Sequence, residues 1–473
     1  MAAQTNQLPV AGRLGLKIAA TATLIGFVYG YDQGSIATAL LFLTPDLHLS
    51  TFQATVVVTA VSVGTLVGAL AGGNIANAIG RKRAMMAIAI GYALFSGLQA
   101  LAFNAESLAL VRFLLGLVVG VSIVAAPAFI AESTPKRIRG RMLVAFQIAT
   151  ISGIVVSYFI GLALAASENW RLILGLAAVP AIIAGLMLRT LPDTSRWYLM
   201  KGRRAEALDV LRRVDPEEDA EAQVSAIEDD LESTHKGSYT QLFRPPLRRA
   251  GIFVVGLGLL VQLTGINAIV YYSPTILKQV GFPSATDAIL AAALLQAAGL
   301  VACIIAALIV DRWGRRPVLL SGVATMAFAN AVLILAFAGG TRPALAFIGI
   351  LLFLIGFSFG YGALVWVYVA ESMPAQMRAI GGSALLTADL FANVVVGLFF
   401  LNAFQALGGA LTFGIFFALA IISIAFIALL APETKGRPLE NIRAFWENGG
   451  RWPTHAPERG PLHADGTPEG QGM

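Results

Sequence analysis

One cysteine in 473 residues leaves this chain without an internal disulfide and without a thiol cluster for zinc or iron–sulfur chemistry. Charge is scarce too: Asp, Glu, Lys and Arg make up 13%, where soluble chains carry about 25%. A water-soluble globular protein is thereby excluded. Alternating strand-length segments are missing, which excludes an outer-membrane β-barrel. The four histidines, His48, His235, His455 and His463, fall in expected loops or the tail, so no imidazole proton relay is expected inside a membrane. No nucleophile–base pair, nucleotide-binding loop or metal-ligand cluster is visible, so no enzyme, cofactor or metal centre is expected. The net charge of +6 comes from basic residues in short loops, where setting membrane orientation accounts for them. Nucleic acid is not an expected partner.

What the chain does have is apolar length. Hydrophobic residues make up 57% and mean hydropathy is +0.76. Stretches able to cross a hydrocarbon layer of about 30 Å recur throughout. They predict spans near residues 16–43, 55–79, 84–103, 108–131, 142–166 and 171–191, then 250–280, 288–310, 317–338, 343–370, 383–407 and 412–431. Residues 1–191 and 250–431 thus read as two six-helix bundles of an all-α membrane protein, embedded in the lipid bilayer as a monomer. Residues 192–249 form a charged cytoplasmic linker in which residues 203–214 suggest a short amphipathic helix at the membrane surface. Residues 432–473, rich in Pro, Gly and charge, read as a disordered cytoplasmic tail. Basic residues gather at 81–83, 136–141, 312–316 and Arg378, whereas the opposite loops hold Arg171, Lys278 and Arg342. Both termini are therefore expected in the cytoplasm, and the N-terminal residues lack a signal-peptide pattern. The halves repeat each other in parallel: Ala131-Glu-Ser-Thr-Pro returns as Ala370-Glu-Ser-Met-Pro, Gly80-Arg-Lys as Gly314-Arg-Arg, and Pro192-Asp-Thr as Pro432-Glu-Thr. Such a repeat is associated with alternating access about a central site.

Ionisable groups inside spans are functional hypotheses by default, and Asp32, Arg112 and Asp389 qualify. Helix rise places Asp32 about 6 Å and Arg112 about 7.5 Å below the outer face, so the two can meet. Asp389 falls about 16 Å in, near the midplane.

Several motifs together resemble the sugar porter family of the major facilitator superfamily, of the proton-coupled bacterial symporter type. They are Asn77-Ala-Ile-Gly80-Arg-Lys-Arg83, Asp311-Arg-Trp-Gly314-Arg-Arg316, Arg112 with Gly116 and Gly120, Glu132 with Arg139-Gly-Arg, Pro192-Asp-Thr-Ser-Arg196-Trp, Gln262-Leu-Thr-Gly-Ile-Asn267 with Tyr271 and Tyr272, and Pro432-Glu-Thr-Lys-Gly436. The resemblance implies the major facilitator fold and import of a sugar or polyol with a proton across the cytoplasmic membrane. It assigns proton coupling to Asp32, with Arg112 as its tuner. It maps cargo contacts onto Tyr29, Gln147, Gln262, Asn267, Tyr272, Trp366 and Asn393, and Asp389 stands where the family has a neutral amide. Asp389 could accept two hydroxyls, pair with a cationic cargo or take a second proton. Arg81, Arg83, Glu132, Arg139, Arg196, Asp311, Arg315, Glu371, Arg378 and Glu433 are expected to form a latch of ion pairs between the bundles. Asn77 replaces the family's Asp, so the first copy lacks one charge. A facilitative uniporter, a porter of another small solute and a non-transporting nutrient sensor are the alternatives.

Overall fold

The computed structural model describes residues 13–216, 218–233, 238–437 and 441–452. In the first half α1 (Arg13–Asp46), α2 (Thr51–Ile79), α3 (Arg81–Ala100), α4 (Ala105–Ser133) and α5 (Lys136–Ala163) lead to α6 (Trp170–Gly175) and α7 (Ala178–Leu188), which share one crossing. The linker carries α8 (Ser195–Met200), α9 (Arg204–Val214), α10 (Ala220–Ser233) and α11 (Tyr239–Leu242). In the second half α12 (Arg248–Leu263) and α13 (Ile266–Gln279) form one span broken at Gly265, followed by α14 (Ala285–Trp313) and α15 (Arg315–Phe337). Then come α16 (Pro343–Phe357), a π-helical turn at Ser358–Gly362, α17 (Ala363–Ser372), α18 (Arg378–Leu430) and the short α19 (Ile442–Glu447).

Ten helical segments of the described residues are long and apolar enough to span a membrane. The 53-residue α18 holds two spans, because Gly408 at φ 79, ψ 164 divides it. The twelfth crossing is α3, whose first turn is Arg81-Lys-Arg and whose hydropathy is lowered by it. Packing settles its course. A Cβ on Gly64 would lie 2.2 Å from the Phe113 carbonyl oxygen, one on Gly68 2.2 Å from that of Leu117, and one on Gly72 3.1 Å from Val121 Cα. Contacts that advance together along both chains mean α2 and α4 run parallel, so α3 between them must return across the layer. Small residues allow this backbone approach, the usual device where lipid offers no hydrophobic drive to helix association. Capping boxes close the first turns of α2, α4 and α14 with Ser50 and Gln53, Asn104 and Ser107, and Ser284 and Asp287.

Two expectations are corrected. The apolar face of α9 lies against protein rather than a membrane surface: Val210 and Val214 join the core of the first bundle, and Leu211 packs with Ala220 and Val224 of α10. The tail is ordered as far as it is described. Phe445 and Trp446 are buried, Trp446 Nε1 donates to the Ser372 carbonyl at 2.7 Å, and Phe445 packs on Trp452. Three aromatic side chains in a short stretch supply a core that the average composition of the tail conceals. Residues 453–473 lie outside the described residues.

Candidate functional site

Arg112 and Asp32 are 0% and 2% exposed, and Arg112 Nη1 stands 3.8 Å from Asp32 Oδ1. The depth arithmetic is thus met in three dimensions. Arg112 is held chiefly by neutral acceptors: its Nε donates to the Val57 carbonyl of α2 at 2.7 Å and its Nη1 to Gln99 Oε1 of α3 at 3.0 Å. Nearby, Tyr31 donates to the Ile173 carbonyl at 2.9 Å, fixing α1 against α6.

Beside this pair lies a polar cluster between the bundles. Gly265 at φ 101 interrupts the seventh span between α12 and α13, a backbone conformation glycine adopts readily. The break lets Asn267 Nδ2 donate to Gln262 Oε1 at 2.9 Å. Gln262 in turn faces Asp389 of α18, which is 7% exposed and, among the described residues, has no Lys or Arg at ion-pair distance. Tyr29 of α1 accepts a hydrogen bond from Gln33 at 2.7 Å and has Asp32, Asp389 and Tyr271 around it. Tyr271 is flanked by Ser62 of α2, Asn393 of α18 and Arg112. One connected set of polar groups therefore reaches from the buried ion pair in the first bundle to the lone acid in the second. Among the described residues, Tyr272 Oη is buried without a hydrogen-bond partner, and Ser62 and Asn393 beside Tyr271 and Gln296 beside Tyr158 have buried polar atoms that form no close hydrogen bond, leaving capacity that a polar ligand could use. The Tyr272 ring lies against Phe400 at 5.3 Å between centroids.

Tyr29, Gln262, Asn267, Tyr272, Asp389 and Asn393 thus line the bundle interface. Gln147 is half-buried on α5. Trp366 departs from expectation: it is 41% exposed, so this arrangement does not enclose its ring. Gln99 and Gln296 escape a motif-based reading. Each is a single amide in an otherwise apolar helix, and that isolation is the signal that would find them.

The latch differs in its partners. Arg81 pairs with Glu132 at 3.0 Å and Arg315 with Glu371 at 3.0 Å, each within its own bundle. Arg196 reaches Glu132 at 4.0 Å, Asp311 pairs with Arg315 at 3.1 Å, and Glu433 accepts from the Arg315 backbone N–H at 3.1 Å. Arg83 is exposed, and the Nε atoms of Arg139 and Arg378 are buried without an acceptor. Every ion pair between described residues stays within one half and its adjoining linker. Among the described residues the expected pairing between bundles is absent from this conformation: each acid meets the arginine one helix end away in its own half. Contacts across the bundles occur instead at the opposite end, where Thr51 Oγ1 donates to Gln405 Oε1 at 2.8 Å and Tyr158 to the Val270 carbonyl at 2.7 Å.

The chain belongs to the sugar (and other) transporter family, whose model matches residues 18–446. It is 34% identical over 426 residues to the galactose-proton symporter of Escherichia coli strain K12, covering 89% of this chain and 92% of that one. With the arabinose-proton symporter of the same strain it shares 32% identity over 438 residues, covering 91% and 93%. Among solved structures, the proton:xylose symporter XylE bound to 6-bromo-6-deoxy-D-glucose matches with a TM-score of 0.77 at 25% identity, covering 92% of this chain and 99% of that one. The chain is a multi-pass membrane transporter of the major facilitator fold, not an enzyme.

Proposed function

We propose that this protein imports a neutral sugar or polyol together with a proton by alternating access, in a cytoplasmic membrane, as a monomer with both termini in the cytoplasm. The observation that carries the reading is the buried Asp32–Arg112 pair beside a cluster of polar groups contributed by both bundles. Protonating Asp32 frees Arg112 to rearrange, and that change biases the equilibrium between the two openings. Gln262, Asn267, Tyr272, Asn393 and Gln147 supply hydroxyl-matching donors and acceptors. Tyr29 joins the proton site to the cargo site, and Trp366 becomes a cavity wall only when the bundles close on it. With both termini inside, the contacts from Thr51 to Gln405 and from Tyr158 to Val270 join the bundles on the outer side, which supports reading this conformation as inward-facing. Arg81, Glu132, Arg196, Arg315, Glu371, Glu433 and Asp311 act within the bundles as helix-end clamps, and Arg83, Arg139 and Arg378, which form no ion pair within 4.0 Å among the described residues, engage when the inner side shuts.

Proteoliposome uptake driven by an imposed pH gradient tests the reading. Asp32→Asn is expected to abolish accumulation while preserving counterflow of labelled cargo. Accumulation that survives this change overturns the assignment.

The unpaired Asp389 favours a second reading, a cargo bearing an amino group, since a buried carboxylate is otherwise left without a countercharge. Competition by an amino sugar, stronger than by its neutral parent and lost in Asp389→Asn, selects it; equal competition selects the neutral sugar.

A further inference from the structure

Gln99 is fully buried in the last turn of α3. Its Oε1 accepts from Arg112 Nη1 at 3.0 Å, while the same nitrogen is 3.8 Å from Asp32 Oδ1. A charge-assisted N–H···O bond measures about 2.7–2.9 Å. The neutral amide therefore holds the closer contact and the ion pair is drawn open. On the other flank the Val57 carbonyl fixes Nε at 2.7 Å, so the guanidinium is pinned between two neutral acceptors. Beside the acid, Arg112 Nη2 is buried without a hydrogen-bond partner among the described residues, and the Gln99 amide, which makes no close hydrogen bond through Nε2, stands within reach of Asp32.

Nothing else nearby balances the carboxylate. The titratable neighbours of Asp32 are Tyr92 on α3, Tyr271 on α13, and Tyr29 and Tyr31 on its own helix, all phenols that do not ionise where carboxylates do. From α5, packed along α1, the groups at this level are Thr150, Ile154 and Ser157. Arg112 is the one charged group facing Asp32 among the described residues, and its distance decides how readily the acid takes a proton.

We propose that Gln99 is the positioning residue that sets the pH range of coupling, by competing with Asp32 for the Arg112 guanidinium and so keeping the carboxylate open to protons that a closed ion pair would refuse. The inference rests on the reading of Asp32 as proton acceptor. Gln99 touches neither cargo nor proton; it acts through Arg112.

Two substitutions move the competition in opposite senses. Gln99→Leu removes the rival acceptor, Arg112 closes on Asp32, and the pH midpoint of accumulation falls by about one unit. Gln99→Glu strengthens the hold on Arg112 and sets a negative charge beside Asp32, so the midpoint rises by about the same amount. The measurement is accumulation of labelled D-galactose by the full-length protein in proteoliposomes across external pH, with counterflow as the gradient-free reference. Should Gln99→Leu fail to reach the membrane, Gln99→Met is the unbranched substitute. Unchanged midpoints, or both moving the same way, overturn the proposal and leave Gln99 a packing residue. The melting temperature of purified Gln99→Leu against pH, with and without Asp32→Asn, reads the same competition without cargo: the displacement caused by the leucine should vanish in the Asn background. A displacement that persists there also overturns it. If the parent moves no D-galactose yet this displacement appears and depends on Asp32, the cargo reading fails and the role of Gln99 stands.

Discussion

The two halves agree at their cytoplasmic ends and differ in the membrane interior. At the inner face the match extends to single hydrogen bonds. Gly80 and Gly314 sit at φ 100 and φ 97; Asp193 accepts from the backbone N–H groups of Arg81 and Lys82 at 2.9 and 3.2 Å, as Glu433 does from Arg315 and Arg316 at 3.1 Å each. Thr194 donates to Glu132 at 2.7 Å and Thr434 to Glu371 at 2.6 Å. The Asn77 substitution therefore leaves the first clamp intact: Arg81 and Arg315 each grip their glutamate, and Asp311 merely adds a contact in the second copy. Inside the membrane the symmetry ends. The first half encloses an acid with its guanidinium, whereas the second has one acid and no cation at ion-pair distance among the described residues. The duplicated part clamps helix ends; the part present once holds the buried charges to which we assign coupling.

The contrast is most sharply broken at the buried charges. Arg112→Leu leaves Asp32 enclosed without a countercharge and should cost about 3–5 kcal/mol, read as a lower melting temperature of the purified protein. Asp389→Asn breaks no ion pair and should change stability by less than about 1 kcal/mol, while raising the KM for cargo about tenfold through one lost charge-assisted bond. Equal losses of stability in the two variants would erase the distinction. Next in size are the clamp glycines. A Cβ would lie 2.2 Å from Asp193 Oδ2 at Gly80 and 2.8 Å from Glu433 Oε2 at Gly314, both at positive φ. Alanine at either is expected to cost about 1–3 kcal/mol, more at Gly80, by thermal unfolding. Glu132→Gln and Glu371→Gln should then lower stability by similar amounts, about 1 kcal/mol each, because each removes a half-buried pair of the same geometry. The smallest effect falls to Asp311→Asn, whose side chain is 79% exposed: under about 0.5 kcal/mol in a double-mutant cycle with Arg315.

Much of the fold is readable from the chain alone because a membrane imposes a length and a polarity on every crossing. All twelve crossings stand out by apolar length: α3 does so despite its basic first turn, and the two spans that run on as α18 are separate in the sequence and meet at Gly408 in the structure. The internal repeat likewise announces two bundles, because it preserves helix-end motifs whose chemistry is local. The candidate site is less legible. Asp32, Arg112 and Asp389 are visible because a charge in an apolar run is conspicuous, but Gln99 and Gln296 are neutral amides outside the motifs and gain meaning only from what they face. The tail was hidden by its average: Phe445, Trp446 and Trp452 make a small core that composition dilutes.

Periodicity, apolar length and the repeated motifs of this chain determine a helical membrane protein of two related bundles, since those properties act over a few turns of helix and need no distant partner. Which acid meets which base is decided only by tertiary packing. Whether Arg112 leans on Asp32 or on Gln99 turns on about an ångström of separation between packed helices. Hydrogen bonds and ion pairs in a low-dielectric interior change steeply over that distance, and no local pattern encodes it.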